Sequence, residues 1–157
     1  MLNPYATFLG NRSPLEVLPT TPDKLHVILE HLGTKGVEEA PAPGKWSARE
    51  IISHLADCEI VFGFRLRQTL AEDNHVIQPF DQEKWAATYP GIAAAQAVTV
   101  FTAMRDWNLK LIAKTLPTAA DRKVTHPERG AMTFKTIVET MAGHDLNHLA
   151  QLQRIAG

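Results

Sequence analysis

An all-α fold, a small four-helix bundle, is what this sequence predicts, and three observations predict it. Four stretches carry apolar residues at alternating steps of three and four, the signature of a helix with one buried face. Three of the four starts carry capping signals, and segments rich in proline, glycine and short polar residues separate the stretches. At 157 residues and 17.4 kDa the chain fits one domain spanning residues 1–157, long enough to bury a continuous core.

The elements follow in order. Residues before Thr21 are rich in Pro and Asn, with short apolar patches at Tyr5 to Leu9 and Leu15 to Leu18, and read as short turns packed on the body. Thr21-Pro22-Asp23 reads as an N-cap, a proline in the first turn and a favourable acid. Leu25, Ile28, Leu29 and Leu32 then form a stripe that Gly33 ends. Pro41 and Pro43 make residues 33–44 a loop. Ser47-Ala48-Arg49-Glu50 matches a capping box and opens a second helix to about Glu72, with Ile51, His54, Leu55, Cys58, Val61, Phe62 and Arg65 on its recurring face.

Residues 73–91 form a long connection holding a short helix near Asp81 to Ala87, and connections this long tend to carry function. A third helix is expected from about Ile92 to Thr115, with Ala94, Ala97, Val98, Phe101, Met104, Leu111 and Ile112 inward and Pro117 after its end. Residues 117–132 read as irregular or hairpin-like. Thr133 caps the last helix, whose inward positions are Phe134, Ile137, Met141, His144, His148, Leu152 and Ile155.

The chemistry sits on these inward stripes. His144 and His148 lie one turn apart on the same side of one helix and replace apolar residues there. His54 does the same between Ile51 and Cys58. Three neutral imidazoles pointing into a core need partners, because an unpaired buried polar group costs about 1–3 kcal/mol, and one metal ion satisfies all three. Three protein ligands leave a coordination position open, as in catalytic zinc sites, and imidazole also suits nickel, iron and copper; zinc or nickel is the first expectation.

The spacing of His144-Asp145-Leu146-Asn147-His148 is that of zincins, but an aspartate stands where their glutamate base belongs, which argues against a metalloprotease. Asp145 is expected to orient a neighbour or face solvent. Asp57, one turn from His54, is a candidate general base or acceptor for a ligand, against the simpler reading of a surface acid paired with an arginine. Gln151, one turn beyond His148, is a candidate hydrogen-bond partner of a bound molecule or a polar filler. Cys58 reads as a small buried hydrophobe, with a fourth ligand or reactive thiol as alternatives. Arg65 wants a carboxylate, from Asp81 or Glu83 in the long connection or from an acidic substrate. Arg65, Asp81 and Trp85 are therefore the candidate substrate-binding residues, while Trp46 and Trp107 read as packing residues. His26, His31, His75 and His126 fall on presumed exposed faces or loops.

Composition excludes other classes. Sixteen basic and seventeen acidic side chains give a net charge of -1, with no basic patch for nucleic acid or anionic membrane. No apolar run approaches the roughly 20 residues of a membrane span, and Met1 to Gly10 has no signal-peptide pattern. With a single cysteine, the expectation is a cytoplasmic protein.

Several of these residues, in this order, resemble the DinB-like family with its YfiT-like metal-dependent hydrolases and thiol-dependent transferases. They are Trp46-Ser47 with Glu50, His54-Leu55-Ala56-Asp57 with Glu59, Phe80-Asp81-Gln82 with Trp85, His126-Pro127 with Gly130, and His144, His148 and Gln151. The resemblance spans nearly the whole chain. It implies an antiparallel bundle in up-down-down-up order, a homodimer, and a divalent ion held by His54, His144 and His148. It also implies a small-molecule substrate, with hydrolysis or transfer of a low-molecular-weight thiol as the reaction. A metal that only stabilises the bundle of a binding or stress-response module is the alternative.

Overall fold

The computed structural model of the chain describes residues 2–157. Two single-turn helices, α1 (Ala6–Leu9) and α2 (Pro14–Val17), and a 3-10 turn at Leu18–Thr20 precede α3 (Thr21–Gly36). There follow α4 (Ala48–Ala71), the short α5 (Gln82–Ala86) and α6 (Ala94–Ala119). A hairpin of β1 (Lys123–His126) and β2 (Gly130–Thr133) leads into α7 (Phe134–Ala156). The bundle consists of α3, α4, α6 and α7.

Its direction of travel can be read from residue pairs. Along α4 and α6, Glu59 meets Arg105 and Arg67 meets Asn108, so these two helices run parallel. Thr21 meets Asp145 and His31 reaches the Ala156 carbonyl, so α3 and α7 are also parallel. Toward α4, α7 runs the other way, as Leu66 shares one apolar cluster with Ile137 and Ile52 shares another with Leu152. The order is up-down-down-up. A parallel pair cannot be joined by a short turn, which is why α4 and α6 need the long connection that contains α5.

The local signals act as expected at most ends. The Ser47 hydroxyl accepts from the Glu50 amide at 3.3 Å while Glu50 accepts from the Ser47 amide at 2.8 Å, a complete capping box. Thr133 caps α7 by accepting from the Thr136 amide. The hairpin pairs in antiparallel register, with Val124 opposite Met132.

Other expectations are corrected. Thr21 is not the cap of α3: it lies inside the helix, buried, and its hydroxyl donates to Asp145 at 2.7 Å. The helix geometry breaks at Gly33, whose positive φ (63°) fits a stop, and one further turn follows. Pro117 falls within the last turn of α6 rather than after it. Met104 is only half-buried and the inward positions are Arg105 and Asn108. Trp107 is 60% exposed and packs no core. Together with Val100 on α6 and Ile60 and Phe64 on α4 it leaves large apolar side chains on the outer surface of the parallel pair.

The core is two apolar clusters with a polar layer between them. One holds Phe62, Leu66, Ile112, Phe134 and Met141; the other holds Ile52, Leu55, Phe101, Leu149 and Leu152. The layer falls between these groups at Glu59 on α4, Arg105 and Asn108 on α6, and His144, Asp145 and His148 on α7, and His54 reaches into it from between Ile52 and Leu55, all buried. Among the described residues, no helix is long and apolar enough to cross a membrane.

Candidate metal centre

His54, His144 and His148 come together in this layer. Their ring centroids lie 5.2 Å (His54–His144), 4.9 Å (His54–His148) and 4.4 Å (His144–His148) apart. The Nε2 atoms of His54 and His144 are 3.2 Å apart, close enough that two bare lone pairs would repel unless a proton or a cation lies between them. His148 Nδ1 donates to Gln151 Oε1 at 2.9 Å, which fixes its proton there and leaves Nε2 as the free lone pair.

Cys58 joins the group. Its Sγ is 3.4 Å from His54 Nε2, and the ligand atoms of His54, Cys58 and His144 all lie within 4.8 Å of one another, a spacing one ion can bridge. Sequence favoured the bland reading of this thiol; the geometry puts it beside the rings.

Electrostatics suit a cation bound by neutral donors. Burial, followed by the charge of His148, holds His54 down to about 3, and burial likewise pulls His144 and His148 below the usual histidine range. The rings are thus unprotonated at neutral pH and present lone pairs. Burial also pushes the Cys58 thiol up strongly, so it is a neutral thiol unless a cation lies beside it. The neutral imidazoles of His54 and His144 and the thiol of Cys58, converging in the interior with His148 beside them, fit a divalent metal ion.

Packing holds the rings in place. The Trp46 indole lies 5.0 Å from His54, and Tyr5 and Phe62 stand edge-on to His144 at 5.2 and 5.8 Å. Gly143 allows Tyr5 this close: a Cβ there would fall 2.5 Å from the Tyr5 carbonyl oxygen. The layer is open on one side. A cleft of about 680 Å³ reaches His148 and Gln151, walled by Tyr5, Trp46, Gln82 and Glu83.

The other sequence candidates lie elsewhere. Asp57 accepts from the Tyr89 hydroxyl at 2.9 Å, and burial raises its carboxyl above the ordinary range. Asp81 caps α5, accepting from the Glu83 and Lys84 amides at 3.1 Å, and pairs with Lys84. It does not partner Arg65, which donates instead to the Gln78 carbonyl. Trp85 stacks on Phe80 at 4.7 Å and is 39% exposed. His126, expected on an exposed loop, is buried.

Sequence reasoning missed Arg105. Buried at 1% exposure, it donates to Glu59 at 2.7 Å and to Asp145 at 2.6 and 3.1 Å, while Asn108 donates to Glu59 at 2.9 Å. Asp145 therefore neither faces solvent nor the rings. A signal was present, since Phe101, Arg105, Asn108 and Ile112 continue the inward stripe at steps of four, three and four.

With fold and site in view, the chain takes its place among known proteins. Residues 18–152 match the DinB superfamily, and the chain belongs to it. A "putative metal-dependent hydrolase" of Oceanobacillus iheyensis is 28% identical over 122 residues, 77% of this chain and 71% of that protein. One of the same description from Halalkalibacterium halodurans is 21% identical over 141 residues, 89% of this chain and 82% of its own length. The solved structure of YfiT from Bacillus subtilis, described as "a probable metal-dependent hydrolase with an unusual four-helix bundle topology", matches with a TM-score of 0.84 at 19% identity. The match covers 90% of this chain and 83% of that one. At that identity the likeness speaks to the fold, including its helix order.

Proposed function

We propose that this protein is a divalent-metal-dependent enzyme acting on a small molecule, by hydrolysis or by transfer of a low-molecular-weight thiol, with His54, His144 and His148 as the metal ligands. The observation that carries this reading is the position of His148: one of three desolvated rings, it also lines an open cleft. A divalent ion at the rings would supply Lewis-acid chemistry, lowering the pKa of a thiol or water in its open position. The descriptions of the relatives agree with this class.

The chain's own residues do the rest. Gln151 fixes the His148 tautomer by accepting a hydrogen bond from its Nδ1–H, which makes it a positioning residue rather than a reacting one. Trp46 and Tyr5 wall the rings on two sides and leave the cleft as the route of entry. Asp57, committed to Tyr89, is assigned to holding the long connection against α4 rather than to proton transfer. Trp85 and Asp81 shape that connection beside the cleft.

Cys58 favours a second reading. If its sulfur completes a four-ligand set, the site is closed, and the metal stabilises the bundle instead of reacting. Metal analysis and turnover decide between them. Protein purified without chelator or nickel resin should contain about one equivalent of zinc or nickel. It should hydrolyse model esters or amides, or conjugate small thiols to electrophiles, and His148→Ala should abolish this while Cys58→Ala retains it. Equal rates in parent and His148→Ala would remove the catalytic reading. Loss of metal in Cys58→Ala would favour the closed site.

The homodimer and the cytoplasmic location belong to the same proposal. The exposed Ile60, Phe64, Val100 and Trp107 support a partner surface on α4 and α6, and sedimentation of a Trp107→Glu variant tests it.

A further inference from the structure

Two turns along α4 from Cys58, Arg65 lies between the rings of Phe62 and Phe80, its guanidinium carbon 6.0 and 5.9 Å from their centroids. Its side chain finds one acceptor among the described residues, the Gln78 carbonyl at 3.3 Å from Nη2. Its Nε is buried without a partner. No carboxylate among the described residues comes within the 4.0 Å of an ion pair. Arg65 is half-buried, and a buried donor without an acceptor, as its Nε is, is costly. The apolar rings around Arg65 offer no compensation beyond a weak attraction for the cation.

More positive charge adjoins it. The segment carrying Gln78 follows Val76, which bridges to Thr125 of β1, and so brings the hairpin alongside. Arg129 lies in the hairpin turn, and its guanidinium also has no ion pair among the described residues. Its backbone amide donates to the His126 carbonyl at 3.2 Å, which closes the turn on His126. His126 Nδ1 accepts from the Glu128 amide at 3.2 Å, which places its proton on Nε2 and makes that atom a donor. Phe62, which Arg65 covers, stands edge-on to His144. Arg65 and the His126–Arg129 turn thus lie on adjoining segments on the Phe62 side of the histidine layer, and the acid of that turn, Glu128, is exposed.

We propose that Arg65, with Arg129 and the Nε2–H of His126, is a receptor for an anionic oxygen group of the substrate, a carboxylate or a phosphate, and orients that molecule against the histidine cluster. The planar, five-donor guanidinium suits either group, and its orphaned Nε–H can pair with Nη2 in a two-pronged bond. This deepens the proposed function by naming a substrate class, and its orientation step rests on that reading.

Binding of succinate and of inorganic phosphate, measured separately by calorimetry on the protein as purified, tests the receptor. One of the two should bind at millimolar concentration or tighter, and which one it is tells carboxylate from phosphate. Arg65→Gln should weaken it about tenfold or more, and the half-exposed Arg129→Gln should weaken it less, with unchanged circular dichroism in both. Arg65→Lys should restore only part, since it keeps the charge and loses the fork. Lys110→Gln, a lost charge on the exposed face of α6, should leave it intact, because the anion is held by the receptor and not by net charge. Absence of binding in the parent, or binding in Arg65→Gln as tight as in the parent, overturns the receptor. Metal content measured on the same samples keeps the two ideas apart: anion binding without any metal would uphold the receptor and remove the metal-dependent function.

Discussion

Arg105 meets Asp145 end-on across the bundle, Nη1 2.6 Å from one carboxylate oxygen and Nη2 3.1 Å from the other, and Asp145 is the residue directly after His144. The pair ties α6 to α7 at the level of the rings. Glu59 shares the guanidinium from α4 and Thr21 adds a donor from α3, so four helices are pinned in the plane where the histidines converge. Such a network sets register because every slip along a helix leaves a buried charge unmet.

Removing its cation should be severe. Arg105→Met strands two buried carboxylates, and breaking a buried pair this way costs about 3–5 kcal/mol. Urea unfolding is the measurement. The triple variant Glu59→Gln, Arg105→Met, Asp145→Asn should recover much of the loss; if the single variant unfolds like the parent, the network does not hold the bundle.

Gln151 offers a milder test of the metal site. Gln151→Leu removes the acceptor that fixes the His148 tautomer without touching a ligand. Loss of an outer partner of this kind lowers metal affinity roughly 10–100-fold. Competition with a chromophoric chelator reads it directly, and unchanged affinity would show that His148 orients itself.

Acid should destabilise the metal-free protein. The folded state holds His54 down to about 3, whereas an unfolded chain takes up the proton near 6.5. Above 6.5 the ring is neutral in both states and contributes nothing to the pH dependence. Below it the unfolded state binds the extra proton, so stability falls as pH drops from 6.5 toward 3, by on the order of 2 kcal/mol at pH 5 from this ring. Urea midpoints at pH 7.5 and 5.0 should therefore differ more in the parent than in His54→Phe, and an identical difference would contradict the assignment.

At Gly143 the constraint is steric. An alanine Cβ would stand 2.5 Å from the Tyr5 carbonyl oxygen and 2.7 Å from its Cβ, so the N-terminal segment must move off α7. Overpacking of this kind costs about 1–3 kcal/mol. Faster proteolysis near Tyr5 in Gly143→Ala, alongside a lowered melting temperature, is the expected result.

How far the sequence reached depended on the kind of signal. Helix faces were legible because burial imposes a period: Leu25, Ile51, Phe101 and Ile137 all lie in the core at the positions their stripes assign. The pairing of His144 with His148 follows from spacing alone. Their meeting with His54 needed only that both stripes face one core. Cys58 read as a small buried hydrophobe, and buried it is, but whether a thiol one turn from His54 also faces the rings depends on where α7 passes. Arg105 escaped because a charged residue on an apolar stripe is read as an interruption, and its two acids lie on other helices. His126 was misread although alternation carried the answer: in β1, Val124 and His126 share the inward face. The loop partners of Arg65 and Asp81 have no period at all to betray them.

Because α4 and α6 point the same way, the backbone between Ala71 and Ala94 must return along the bundle before α6 can begin, and it places Gln82 and Glu83 beside His148 as it goes. The rings belong to long helices whose every position is constrained by packing, while this returning strap is held by a few caps and stacks. Selection can therefore rewrite the wall of the cleft by altering the strap, and leave the histidine layer untouched.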